Sequence, residues 1–135
     1  MNFDSKRLAL LFAALVSLVW NLYLVVSATF NSTSILPRVA GGQFDSIPVF
    51  LRVMFGIQSL LIIYQLYFVV RLYQRGGAWS KNSYLLTRVF LVLTGVSAIM
   101  NFVSRSSQER WNTIPAVLIA LAYYLLGNVR YRPTK

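Results

Sequence analysis

The sequence predicts an all-α fold, a transmembrane four-helix bundle with both termini cytoplasmic. Three observations carry this expectation. Of 135 residues, 57% are hydrophobic and 12% are charged, roughly half the usual charge of a soluble domain. The apolar residues gather into four runs near bilayer length, at about 8–30, 48–70, 84–103 and 112–129. The charge is lopsided, 13 basic residues against 3 acidic for a net +10, and the basic residues flank the runs. A single integral membrane domain, 1–135, accounts for the chain, with no repeat or low-complexity tract.

The first run follows Lys6-Arg7, the opening of a signal peptide as well as of a membrane span. It outlasts an ordinary signal core and contains Trp20 and Asn21, and Ser27-Ala28-Thr29 only approaches a small-x-small cleavage site, so it reads as a retained span. Pro37 and Gly41-Gly42 then form a loop, and Pro48 suits the first turn of the second helix, where its missing N–H costs nothing. Between Arg71 and Lys81, Gly76-Gly77 and Trp79 mark a turn at a membrane surface. The third span starts near Tyr84 and gives way to Ser104-Arg105-Ser106-Ser107-Gln108-Glu109-Arg110, a short polar connection. The fourth begins with Asn112 or Thr113 as N-cap and Pro115 in its first turn, antiparallel to the third.

Orientation follows from the basic residues. Lys6, Arg7, Arg71, Arg75, Lys81, Arg88, Arg130, Arg132 and Lys135 fall on one side, and Arg38, Arg52, Arg105 and Arg110 on the other. By the positive-inside rule the first side is cytoplasmic, and the chain is expected as a multi-pass protein of the plasma membrane. Aromatic belts agree, with Tyr67, Tyr73, Trp79 and Tyr84 near the inner interface and Phe30, Phe44, Phe50 and Trp111 near the outer. The expected partners of this charge are membrane lipids, anionic headgroups on the cytoplasmic side. Arg71, Arg75, Lys81 and Arg88 form the basic patch best suited to headgroups or to an acidic cytoplasmic protein. Nucleic acid is not expected, because the charge is divided among short segments flanking hydrocarbon.

Chemistry is narrowed by what is missing. There is no Cys and no His, and the side-chain carboxylates are Asp4, Asp45 and Glu109. Thiol redox chemistry, a zinc site and a Ser-His-Asp triad all lack their essential groups, so no metal, no cofactor and no enzymatic activity are expected. The spans hold no carboxylate for proton coupling. In particular, they lack the first-helix Glu on which small multidrug exporters, also four-helix proteins, rely.

Milder polar residues remain. Thr94, Ser97, Asn101 and Arg105 share one helical face by their spacings of three and four. Ser17 and Asn21 do the same in the first span. In the second, Gly56 and Ser59 lie on the face of Arg52, and Gln58 and Gln65 on another. Such residues either mediate helix contacts, through hydrogen bonds of about 0.6–2 kcal/mol, or line an outward-opening cavity built from Asn21, Ser59, Thr94, Ser97 and Asn101. Arg52, ~6 Å into its helix, either snorkels outward or pairs with Glu109 or Asp45, with Glu109 preferred. The sequon Asn31-Ser32-Thr33 lies on the outer side; it is idle in a bacterium and a glycosylation candidate in a eukaryote.

The segment Asn101-Phe-Val-Ser-Arg-Ser-Ser-Gln-Glu-Arg-Trp-Asn112, followed by Pro115, resembles small four-span bacterial inner-membrane proteins of the actinobacterial kind. In these a third helix ends in Asn-x-x-Ser-x-Ser and a Glu-Arg pair precedes a Pro-containing fourth. The resemblance covers mainly residues 84–129 and implies the four-span fold without an activity. The residues themselves suggest that Asn101 and Ser104 bond carbonyls at a helix end and that Glu109 lies near the positive N-terminus of the fourth span. The expected function is a non-enzymatic accessory or scaffold subunit, working with a membrane protein partner or as a homo-oligomer. The alternative is a small transporter, or a protein handling lipids or polyprenyl carriers, that works as an oligomer.

Overall fold

A computed structural model describes residues 3–127 of the chain. They are all-helical. The principal helices are α1 (Phe3–Thr29), α2 (Val49–Gln74), α3 (Lys81–Phe102), the single-turn α4 (Ser107–Arg110) and α5 (Thr113–Gly127). Two 3-10 turns, Thr33–Arg38 and Ala40–Gly42, occupy the α1–α2 loop.

Three helical segments, Ser5–Thr29, Val49–Gln74 and Lys81–Phe102, are long and apolar enough to cross a membrane. The described part of α5 is 15 residues, ~22 Å at 1.5 Å per residue and shorter than a ~30 Å hydrocarbon core. The fourth expected run continues to residue 129, and its last two residues, with Arg130, Arg132 and Lys135, lie outside the described residues.

Helix boundaries move from the expected ones for local reasons. Lys6 and Arg7 belong to α1, whose helix extends into its charged N-terminal end. Pro48 is the N-cap of α2, one residue outside the helix, and its carbonyl accepts from the Arg52 N–H at 3.1 Å. Helix α3 starts at Lys81, not Tyr84, because Ser80 and Ser83 form a reciprocal capping box. The Ser83 N–H donates to Ser80 Oγ at 3.1 Å, and the Ser80 N–H to Ser83 Oγ at 2.9 Å; each bond satisfies an amide that the first turn would leave open.

Helix α1 packs along α2 and against α5, while α3 packs along α5. The core draws Leu11, Ala14 and Leu18 from α1, Ile62, Phe68, Val69 and Leu72 from α2, Phe90 from α3, and Ile119, Ala122, Tyr123 and Leu126 from α5. Ala14 and Ala122 are fully enclosed, and such small residues let helices approach closely. Outward lie Phe12, Val19, Leu60, Val92, Ile99 and Leu125, all exposed. Helices apolar on every side suit a hydrocarbon solvent and would be a liability in water.

The α1–α2 loop and the α3–α5 connection lie together at one end, the loop end; the Arg75–Ser80 turn lies at the other. Ile35, Val39 and Ile47 fold onto Leu24 and Ala28, so the longer loop is a packed cover rather than a strand of solvated chain.

Candidate functional site

The site begins with a gap. Helices α2 and α3, consecutive in the chain, meet through aromatic rings near the turn end. Phe68 contacts Phe90 at 5.6 Å and Trp79 at 5.5 Å between centroids, and Phe90 contacts Tyr123 at 5.3 Å. Toward the loop end the two helices part, since each packs on a different partner, α2 on α1 and α3 on α5.

Between them runs a cleft in two connected parts. The deeper part, about 240 Å³, is lined by Asn21, Gln58, Gln65, Thr94 and Ser97 among apolar Leu18, Leu61, Leu93 and Ile119. The upper part, about 110 Å³, shares Asn21, Gln58 and Ser97 and adds Asn101, Glu109, Asn112 and Arg38. Gln65, at the deep end of the lining, accepts at Oε1 from the Tyr123 hydroxyl at 3.4 Å. At its side, Gln58 and Ser97 remain exposed, so the cleft opens between α2 and α3 along the surface that hydrocarbon would cover.

Four of the five expected polar residues, Asn21, Thr94, Ser97 and Asn101, therefore converge. Ser59 does not. Its hydroxyl donates to the Gly56 carbonyl at 2.7 Å, and the cleft takes Gln58 and Gln65 in its place. Neighbouring residues of a helix stand about 100° apart, so the rotation of α2 against α1 selects one and rejects the other. The hydroxyl of Thr94 is satisfied by the Phe90 carbonyl at 2.7 Å. By contrast, no side-chain hydrogen bond within the described residues engages Asn21, Gln58, Ser97 or Asn101. Asn101 thus leaves the capping of α3 to the backbone, where the Ser104 N–H donates to the Asn101 carbonyl at 3.2 Å.

The loop end is laced shut over this cleft. Glu109 Oε2 accepts from the Gly41 N–H at 2.8 Å and from the Ser104 hydroxyl. Ser106 Oγ, the N-cap of α4, donates to the Pro37 carbonyl. Asn112 is buried; its Nδ2 donates to the Arg38 carbonyl at 3.2 Å, and its Oδ1 accepts from Trp20 Nε1 at 3.3 Å. The Arg38 guanidinium lies over the Trp20 ring, 5.7 Å from its centroid, a cation–π arrangement. Gly41 has φ +74°, a left-handed backbone that glycine adopts without Cβ strain, and that backbone presents its N–H to Glu109.

The expected pair between Arg52 and Glu109 does not form. Arg52 Nε donates to the Thr29 carbonyl at 2.8 Å, while Glu109 is held by Gly41 and Ser104. Asn31 has a structural role that the sequence did not disclose. Its φ of +57° makes it the left-handed residue closing α1. The Ser32 N–H reaches the Ser27 carbonyl at 2.9 Å and the Asn31 N–H the Ala28 carbonyl at 3.1 Å, a Schellman motif. The Asn31 side chain accepts from the Ile47 N–H at 2.7 Å and donates to Ser46 Oγ at 3.1 Å.

At the turn end the basic patch is spread out. Arg75 and Lys81 are exposed, Arg71 is half-buried, and Arg88 folds back on Tyr84, its Nη2 donating to the hydroxyl at 3.0 Å with the guanidinium 5.0 Å from the ring centroid. Among the described residues no cluster of His, Cys, Asp or Glu could hold a metal. No family model matches the chain, and no curated protein or solved structure matches it.

Proposed function

We propose that this chain is a multi-pass membrane protein whose α1, α2, α3 and α5 form a four-helix bundle with both ends cytoplasmic, and that it binds a lipid-like amphiphile in the α2–α3 cleft. One observation carries the reading: Asn21, Gln58, Ser97 and Asn101 face one laterally open cavity with their hydrogen-bonding groups unused. Such groups are costly in hydrocarbon, and a headgroup or water entering from the side satisfies them. Of the two functions expected from sequence, the cleft favours lipid or polyprenyl-carrier handling over a purely accessory or scaffold role. The role is binding rather than catalysis, because the cleft lining supplies amides and hydroxyls, one guanidinium engaged with Trp20 and a single carboxylate already committed to Gly41 and Ser104.

The chain lacks cysteine, so single cysteines report cleanly. Purified into lipid nanodiscs, Ser97→Cys is expected to react with a lipid-dissolved maleimide and, once labelled, to lose co-purifying lipid; Leu60→Cys, on the outer surface, should react without that loss. Equal lipid retention by both labelled proteins refutes the cleft as a binding site. Cysteines at Ser34 and Arg75 should label from opposite sides of intact cells, with Arg75→Cys protected from an impermeant reagent.

A further inference from the structure

We infer that the cleft selects an uncharged, hydroxyl-rich headgroup and excludes anionic ones; the inference rests on the proposed binding of an amphiphile there. The deeper part of the lining contains no charged residue. The upper part holds one cation, Arg38, and one anion, Glu109, so its net charge is zero. Neither is placed to serve a phosphate. Arg38 is engaged with the Trp20 ring, and the Glu109 carboxylate in the same upper part repels an anion while taking hydrogen bonds from Gly41 and Ser104.

The open hydrogen-bonding capacity is instead neutral. Asn21, Gln58 and Asn101 each offer two N–H donors and a carbonyl acceptor, and Ser97 a hydroxyl that does both. Groups that donate and accept in equal measure match hydroxyls, which also do both; a phosphate only accepts and would leave the three amide carbonyls unpaired. Burying an anionic group beside low-dielectric walls without a dedicated cation is unfavourable. The aliphatic Leu61 and Leu93, on the two sides of the opening, give the apolar chain of such a molecule its way out into the bilayer. The cytoplasmic patch of Arg71, Arg75 and Lys81 then meets anionic lipids as a surface, separately from the cleft.

The test uses the full chain in nanodiscs containing equal parts monoglucosyl-diacylglycerol, phosphatidylethanolamine and phosphatidylglycerol, with bound lipid read by native mass spectrometry. The expected result is selective retention of the glucolipid, reduced about thirtyfold in Gln58→Leu/Asn101→Leu, as the loss of one ordinary hydrogen bond at each residue implies. Ser97→Phe, at the exposed rim, should block retention by filling the cleft and covers the event that the double variant misfolds. Excess free glucose that displaces the lipid, with the same dependence on Gln58 and Asn101, supports the hydroxyl chemistry and assigns it to a soluble polyol. Preference for phosphatidylglycerol or phosphatidylethanolamine, abolished by Ser97→Phe, overturns the headgroup inference while the cleft reading stands. Retention of every lipid unaltered by Ser97→Phe overturns both.

Discussion

Arg52 Nε donates to the backbone carbonyl of Thr29 at 2.8 Å, so a side chain in the first turn of α2 closes the last turn of α1. The final carbonyls of a helix have no partner within it and carry the negative end of its dipole. A guanidinium there satisfies both needs, and it does so where Thr29 also faces Gly56 of α2, the residue through which the two helices approach. The bond ties the start of α2 to the end of α1.

Replacing Arg52 with Ala is expected to lower stability by about 1–2 kcal/mol, the range of a hydrogen bond to a charged group less what water recovers at this half-buried site. Lys, with a compact charge and no planar fork, should recover only part of it. Thermal unfolding in a fixed mild detergent measures both. The charge-swapped double variant Arg52→Glu/Glu109→Arg should be no better than its single variants, and rescue by the swap would show that the two residues interact after all.

Glu109 joins two loops that are 68 residues apart in sequence. Its change to Ala leaves the Gly41 N–H without its acceptor, at a cost of about 1–3 kcal/mol, while Gln keeps an acceptor and should cost less. Hydrogen exchange at the Gly41 amide is the direct readout: fast in Glu109→Ala, intermediate in Glu109→Gln, slow in the parent. Equal protection in all three would mean that another group holds this loop.

At Asn31 the backbone and side-chain roles separate. Asn31→Gly retains the left-handed turn and loses the bonds to Ile47 and Ser46, Asn31→Asp retains the acceptor for the Ile47 N–H, and Asn31→Ala loses both the bonds and the unstrained backbone. The expected order of stability is Asn, then Asp, then Gly, then Ala, with about 1–2 kcal/mol between the extremes. Chemical denaturation of the four proteins tests the order, and Ala equal to Gly would remove the backbone contribution.

Gly127 lies where α5 crosses α3. A Cβ there would stand 2.2 Å from Thr87 Cγ2, and Thr87 cannot rotate freely because its hydroxyl donates to the Ser83 carbonyl at 2.7 Å. Gly127→Ala should therefore destabilise by about 1–3 kcal/mol, as overpacking does. Thr87→Ser removes the clashing methyl and keeps the hydroxyl bond, so the double variant Thr87→Ser/Gly127→Ala should regain most of the loss. Unfolding midpoints of the four members of this cycle decide it; additive losses would exclude the contact.

What could be read from the chain alone is what depends on neighbours along it. Length and apolarity mark α1, α2 and α3 as segments able to cross a bilayer, since each helix satisfies its own backbone. The spacing of Thr94, Ser97 and Asn101 puts them on one face before any partner is known. Which face of α2 meets that stripe, Ser59 or Gln58 and Gln65, depends on how α2 is rotated against α1, and no local pattern contains that rotation. The same holds for Arg52, Glu109 and Asn31, which find their partners 15 to 68 residues away. Those contacts exist because packing brings one helix end or loop against another, and the cleft exists because α2 and α3 each pack on a different helix and leave the space between them open.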